Sequence, residues 1–374
     1  LKDKLRGIKN TLKRVLVKAV YNVEKHFVHD VVEMDESKAY QILEQSDPRT
    51  HGSCITNNQI EDTRKYNLRI VVPAYNVENY IEECIDSVLK QKTEYKYQIY
   101  IVDDGSTDNT LSLLSKYKDY SNVLVIHKDN GGVASARNEG LKIVDADYVM
   151  FLDSDDYLPD NAIQVLLENA YSNDADIVEG AQIRKLADKD IKIAATDYVR
   201  LAKGPTELLG MPWAKVFKSK ILDNICFPEK LWYEDTVCRF IMFEKAKKIL
   251  LINDVVYMYR VLDNSLSHGK SKSIKNIDTY WILEMLMEDR SKLCLPFNDE
   301  LLLMLERQII INQTRIDCLD DNIQKSIFVL TGALLKKYYT DDKVLRSNCK
   351  ALQLIVSGDY GGYKSYCKMK KYFI

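Results

Sequence analysis

Between Ile70 and Leu167, short apolar runs stop abruptly on polar residues, and each is followed by a segment whose apolar positions recur every three or four residues. Ile70-Val71-Val72 ends at Pro73-Ala74-Tyr75-Asn76, and Ile81, Ile85, Val88 and Leu89 follow at helical spacing. Ile99-Tyr100-Ile101-Val102 runs into Asp103-Asp104-Gly105-Ser106-Thr107-Asp108, with a helical pattern from about Thr110. Tyr148-Val149-Met150-Phe151-Leu152 ends in Asp153-Ser154-Asp155-Asp156, and Ile163, Val165, Leu166 and Leu167 come after Pro159. Apolar runs bounded by turn residues read as strands and the longer periodic stretches as helices, so the pattern predicts parallel βαβ units. Their loops meet along one edge of the sheet, where α/β proteins place ligands.

The pattern changes at both ends. From about Ser271 it turns helical, through Trp281–Leu286, Leu301–Leu305, Ile309–Ile311 and Ile327–Leu335. In residues 1–26, Leu1, Leu5, Ile8, Leu12, Val15 and Ala19 share one helical face, and eight Lys and Arg face Asp3 and Glu24. Such a basic helix could pack on the protein, pair with its copy or rest on an anionic membrane. Asp47 to Thr63 reads as a loop. The expected organisation is a helical extension and linker over 1–64, an α/β domain over 65–270 and a helical part over 271–374. The final residues, Tyr363 to Ile374, interleave aromatics with Lys, as a frayed end or a membrane-contacting tail would.

Composition narrows the class without naming a chemistry. Of 374 residues, 46% are hydrophobic and 29% charged, which describes a globular protein, and the net charge of −2 gives no pull toward nucleic acid. The eight Cys show no paired metal spacing, so a reducing, cytoplasmic setting is expected. No stretch is long and apolar enough to span a bilayer and no cleavable signal pattern opens the chain, while its start at Leu1 reads as a trimmed or processed end.

The acidic run carries the chemistry. Alternate strand residues face the same way, so Asp153 and Asp155 project together from a strand's C-terminal end. Clustered carboxylates repel and call for a cation, and all-oxygen donors suit Mg²⁺ or Mn²⁺ with substrate phosphates completing the shell. Asp-rich turns also cap helices, so the segment could serve the helix after Pro159 instead.

Four pieces in order, Val72-Pro73-Ala74-Tyr75-Asn76, Asp103-Asp104-Gly105-Ser106-Thr107-Asp108, Asn130-Gly131-Gly132-Val133-Ala134-Ser135-Ala136-Arg137-Asn138-Glu139-Gly140 and Leu152-Asp153-Ser154-Asp155-Asp156, resemble the family-2 nucleotide-sugar glycosyltransferases. The likeness extends less tightly to about Lys270. It implies a GT-A fold: a Rossmann-like, mostly parallel sheet flanked by helices, here with an N-terminal helical extension and a C-terminal helical part. It also implies that Pro73, Tyr75 and Asn76 lie in the nucleotide loop, with Tyr75 against a uracil-like ring. Asp104 would accept the base N–H, its alternative being a turn residue beside Gly105. Asn130 and Gly132 would bring backbone N–H groups to sugar or phosphate at the start of a helix from about Val133 to Val144. Arg137 would pair either with phosphate or with a carboxylate of the Asp-Ser-Asp loop. By the same resemblance Asp155 ligates the metal, Asp153 contacts ribose or metal, Ser154 lies near the nucleotide, and Asp156 supports the ligands from behind or caps a helix.

Leu231-Trp232-Tyr233-Glu234-Asp235 is similar to the family's Glu-Asp segment, whose second acid is the base, which implies Asp235 as base, with Glu234 orienting it or touching the acceptor. The two acids could also open a helix, and both roles can hold together. Trp213, in Pro212-Trp213-Ala214-Lys215, would wall the sugar pocket or join the core, and His268 would be a third metal ligand or a solvated loop residue. Trp213, Trp232 and Trp281 follow Pro, Leu and Tyr rather than the Arg of processive, membrane-embedded members, so single addition is expected. The expectation is a Mn²⁺- or Mg²⁺-dependent, inverting transfer from a UDP-sugar to a surface-glycan, glycolipid or glycoprotein acceptor, in the cytoplasm or at the inner membrane face. The terminal helices could support oligomers. A sugar nucleotidyltransferase would want a Gly-rich basic loop where Pro73-Ala74-Tyr75-Asn76 stands; a non-catalytic partner subunit would not need the paired acids.

Overall fold

The computed structural model describes residues 30–49, 52–61, 64–186, 188–262 and 272–371. The basic N-terminal helix and His268 therefore lie outside the described residues. Those within 52–269 and 285–295 form one compact unit, and those within 1–51, 270–284 and 296–374 form another.

The first unit is built on a sheet. Its strands are β1 (Gln59–Ile60), β2 (Tyr66–Ala74), β3 (Tyr97–Asp103), β4 (Val123–His127), β5 (Ile143–Val144), β6 (Ala146–Phe151), β7 (Ile177–Lys185), β8 (Asp190–Ile193), β9 (Arg200–Leu201), β10 (Lys215–Lys218) and β11 (Ile249–Arg260). Nine of them form one sheet in the order β4-β3-β2-β6-β10-β7-β11-β9, with β8 paired to β7, while β1 and β5 pair by themselves. From β4 to β6 every pairing is parallel, as the sequence pattern predicts. Beyond β6 the sheet is mixed, because β10 enters antiparallel to both β6 and β7. The chain goes outward from β2 to β3 and β4, then returns to the other side of β2 as β6. The loops after β2 and β6 thus flank the point where strand order reverses, the crevice in which open α/β sheets bind ligands.

β2 shows why this half forms. From Leu68 to Ala74 it is buried on both faces, so its apolar residues are continuous rather than alternating. Leu68, Ile70 and Val72 share a core with Ile81, Ile85 and Val88 of the helix Ile81–Leu89 and with Ile163, Leu166 and Leu167 of the helix Ala162–Ser172. On the opposite face the helix Val133–Leu141 approaches so closely that a Cβ on Gly140 would stand 2.5 Å from a Val71 methyl. We expect Gly140→Ala to cost about 1–3 kcal/mol, read as a lower urea midpoint, and Val71→Ala on the same chain to recover part of it. The helix ends at Leu141, short of the expected Val144, because Ile143 and Val144 pair with Gln59 and Ile60. That pairing also puts a strand inside the expected 47–63 loop.

The second unit is helical, with Glu36–Ser46, Asp299–Ile316, Asp321–Tyr338, Asp341–Arg346, Lys350–Val356 and Tyr360–Lys370. Asp35, Asn298, Asp320, Thr340 and Asp359 each cap a helix start with a side-chain oxygen. Glu306 accepts from the Ala351 and Leu352 N–H groups at 2.9 and 3.3 Å, which satisfies donors at the start of Lys350–Val356. Among the described residues no helix is long and apolar enough to cross a membrane.

Candidate active site

The loop after β2 and the acidic loop after β3 are fastened together. Asn76, in a left-handed conformation, donates its N–H to Ser106 Oγ at 3.0 Å and accepts from the Thr107 N–H at 2.8 Å. Pro73 is held in β2 opposite Val102, and Tyr75 stands beyond it with 48% of its surface exposed. Gly105 has φ +73°, and a Cβ there would lie 2.8 Å from the Asn130 N, so the turn requires glycine twice over.

Asp104 is only 2% exposed. Its carboxylate accepts from Gly131 N at 3.0 Å, Gly132 N at 2.7 Å and Lys128 Nζ at 2.7 Å, while Asn130 Nδ2 donates to its carbonyl at 3.0 Å. Asp103 is fully buried against His127 Nδ1 at 2.6 Å. Asp104 therefore organises the Asn130–Gly132 loop, a role its turn-residue reading foreshadows only in part, and the Gly132 N–H expected to face sugar or phosphate is instead spent on Asp104.

Across the edge, Arg137 joins two segments far apart in sequence. Its Nη2 donates to Asp153 Oδ1 and its Nη1 to Glu234 Oε1, both at 2.8 Å, and its guanidinium lies over the Phe227 ring at 5.2 Å. Of the two partners the sequence left open, a carboxylate of the Asp-Ser-Asp loop is realised. The neighbouring Asn138 pairs its side-chain amide with the Phe227 N–H and C=O at 2.7 and 2.9 Å, which clamps the segment leading to Glu234. Burial pushes the Glu234 carboxyl up, Arg137 opposes that, and Asp235 adds to it. Tyr233, just before these acids, has φ +68°, a strained conformation for a bulky residue of the kind that clusters at functional sites. The carbonyls of Glu234 and Asp235 accept from Val237 and Cys238 N–H, so the acids also open the helical turn that becomes the π-helix Cys238–Met242.

The Asp-Ser-Asp loop is strapped to the end of β11. Asp156 is buried and accepts from Tyr257 Oη at 2.8 Å and the Arg260 N–H at 2.7 Å, while Tyr257 Oη accepts from the Asp153 N–H at 3.2 Å. Asp156 is thus an anchor and not a helix cap; the helix Ala162–Ser172 begins after Asn161. Arg260 donates to the Asp155 carbonyl at 2.5 Å and pairs with Glu83. Burial, then the neighbouring Asp153, pushes Asp155 up to about 6, and burial with both neighbours pushes Asp156 up to about 8. Ser154 is buried between them.

Trp213 is 6% exposed and stacks between Tyr257 and Tyr259, with centroids 4.7 and 5.2 Å away. Of its two readings, the core one describes its position. The next turn is held from below by Lys215, buried with Glu179 at 2.8 Å and donating to the carbonyls of Leu209, Met211 and Trp213. Lys128 and Phe227 were not named from sequence, while Asn138, Lys215 and Tyr257 stand in segments that resemble the family but were given no role; Lys128 lies just before the Asn130–Gly140 segment, where it was open to notice.

A metal is tested by the donor set. Among the described residues no three carboxylate, imidazole or thiolate groups converge. β6 ends at Phe151, so Asp153 and Asp155 lie in the loop after it and are not set by strand alternation as the sequence suggests. Asp153 is already paired with Arg137, and Asp155 is raised by burial and then by Asp153. A divalent cation here would take these two carboxylates and leave its other positions to phosphate.

The profile described as Glycosyl transferase family 2 matches residues 69–250. Glycosyltransferase GlyG of Streptococcus pneumoniae is 30% identical over 53% of this chain and 72% of its own length. The uncharacterized glycosyltransferase EpsJ of Bacillus subtilis is 32% identical over 53% of this chain and 62% of its own. The poly(ribitol-phosphate) beta-glucosyltransferase of Bacillus spizizenii is 35% identical over 52% of this chain but only 32% of its length. Among solved structures, S. aureus TarS 1-349 in complex with UDP-GlcNAc has a TM-score of 0.68, covering 82% of this chain and 91% of that one at 20% identity, which shows the shared GT-A fold. The chain belongs to glycosyl transferase family 2. It spans about three-fifths of EpsJ and about a third of the longer Bacillus relative.

Proposed function

We propose that the protein is an inverting glycosyltransferase that moves one sugar from a UDP-sugar to a hydroxyl of a surface-glycan, glycolipid or glycoprotein acceptor. The observation that carries this reading is Arg137, which ties the acidic loop after β6 to the Glu234-Asp235 turn and so supports a leaving-group site on the one segment and a base on the other. The UDP-GlcNAc held by TarS, a protein of the same fold, supports a uridine donor. The poly(ribitol-phosphate) relative supports a cell-envelope glycan acceptor.

Tyr75 offers its exposed ring to the base, and Pro73 and Asn76 fix the loop that carries it. The Gly132 backbone and Asn130 line the sugar side; Asp153 and Ser154 sit beside the ribose. Asp235 takes the proton from the acceptor hydroxyl as its oxygen attacks the anomeric carbon from the face opposite the diphosphate. The C1–O bond to phosphate breaks, UDP leaves with that electron pair, and configuration inverts. Glu234, held by Arg137, orients Asp235. A divalent cation, Mn²⁺ or Mg²⁺, on Asp155 and Asp153 would supply charge neutralisation at the departing diphosphate; His268 is a further candidate ligand. The Lys-rich termini would serve peripheral contact with a membrane that carries the acceptor.

The test is product analysis with UDP-GlcNAc and UDP-glucose in Mn²⁺. UDP release is expected, and EDTA or Asp155→Asn should lower it by about a hundredfold or more. Pyrophosphate release would instead identify a nucleotidyltransferase, and no turnover with any sugar nucleotide would leave a partner subunit.

A further inference from the structure

The turn that carries Glu234 and Asp235 runs on into a widened coil. Val237 and Cys238 N–H donate to the carbonyls of Glu234 and Asp235, and the π-helix Cys238–Met242 follows, closed by the Phe243 N–H on the Cys238 carbonyl. A π turn puts its carbonyls out of step with an α-helical ladder, and such turns are frequent at functional sites. Here an outside donor takes one of them: Arg290 Nη1 donates to the Phe240 carbonyl. Arg290 is fully buried, with the Glu244 carboxylate 3.6 Å from its Nη2. The next residue after the π turn is gripped too, since Lys215 Nζ lies over the Phe243 ring at 5.3 Å.

Arg290 sits in the helix Asp278–Lys292, within the stretch 285–295 that belongs to the same compact unit as the sheet. Its neighbour Asp289 is buried and accepts from Ser53 Oγ at 2.8 Å and the Cys54 N–H at 2.7 Å. The Cys54 carbonyl in turn accepts from the Cys226 N–H at 2.8 Å. Consecutive residues of one helix thus secure both ends of the 226–242 segment, Asp289 through Cys54 and Arg290 directly, with Glu234 and Asp235 between them. Arg137 braces the middle. A buried guanidinium is costly unless its donors are used, and its planar fork serves a carbonyl and a carboxylate together where an ammonium cannot. We propose that Arg290, outside the 69–250 span of the family profile, is a positioning residue that fixes the π turn and through it the aim of Asp235 at the acceptor hydroxyl. This rests on the base reading above and adds a residue that acts through that base. Displacing a catalytic group slightly by a remote change lowers turnover while the donor still binds.

The experiment compares wild type, Arg290→Lys, Asp235→Asn and the double variant in the full chain. UDP affinity is measured by calorimetry with Mn²⁺ present, and UDP release from UDP-GlcNAc or UDP-glucose is expressed per UDP-binding site, so that unfolded molecules do not count. Arg290→Lys should lower kcat by roughly ten- to a hundredfold with UDP affinity within about threefold of wild type. In the Asp235→Asn background it should add less than about twofold, because a residue that acts through a base has nothing to position once the base is gone. Turnover of Arg290→Lys within about twofold of wild type, a matching loss of UDP affinity, or the full loss repeated on top of Asp235→Asn would each assign Arg290 to packing alone and overturn the proposal. Hydrogen exchange of wild type tests it without any variant: the Val237 and Cys238 amides should be strongly protected, and exchange at the rate of a free peptide overturns it. Near-normal turnover of Asp235→Asn would remove the base reading itself, a result read from that variant alone.

Discussion

Asp235→Asn is expected to lower kcat by about a thousandfold while leaving the affinity for a UDP-sugar within a few-fold of wild type. An amide keeps the shape of the side chain and cannot take a proton, so the variant isolates base chemistry from packing. The turn it occupies is defined by backbone bonds, Val237 N–H to the Glu234 carbonyl and Cys238 N–H to the Asp235 carbonyl, which the change does not touch. Donor affinity by calorimetry and transfer by UDP release check the two halves. Near-normal turnover would remove Asp235 from the reaction, and weakened donor binding would place it on the wrong side of the sugar.

Arg137→Lys should fold and bind donor yet lose transfer by about a hundredfold or more, because one guanidinium fork holds Asp153 and Glu234 at the same time and an ammonium cannot span both. Removing the cation altogether, in Arg137→Ala, leaves two partly buried carboxylates without their partner. Breaking a buried pair costs about 3–5 kcal/mol, and the residual exposure of both acids puts this one near the lower figure. The lysine variant is therefore the informative one, with the alanine variant's unfolding midpoint as the stability control. Full activity in Arg137→Lys would mean that the acidic loop and the Glu234-Asp235 turn do not need a common brace.

Local pattern and turn chemistry were legible because they act over a few residues. The runs that stop at Val72, Val102 and Leu152 fall within two residues of the strand ends at Ala74, Asp103 and Phe151, and the helix faces with Ile81, Ile85, Val88 and with Ile163, Leu166, Leu167 follow from period and apolar runs. So did the two acidic segments. Which groups meet across the site was a matter of strand order and burial. Nothing in the spacing of Asp156 announces that β11, about a hundred residues later, supplies the Tyr257 hydroxyl and the Arg260 N–H that anchor it. Nor does the sequence between Ala146 and Lys218 show that β10 slips in antiparallel beside β6 and turns the second half of the sheet mixed.

Arg137, Trp213 and Asp104 make the division plain. Each was identifiable as a residue of the site region from its motif, and the sequence allowed two environments for each. Tertiary structure supplies the protein partners: Arg137 lies between two carboxylates, Trp213 is stacked with tyrosines, and Asp104 is gripped by Lys128 and the Gly131–Gly132 backbone, a third environment that neither reading of Asp104 described. The residue types set what each side chain can donate, accept or stack on. Only the folded chain, by removing water and bringing distant loops together, decides which of those capacities is spent inside the protein and which remains to meet a substrate.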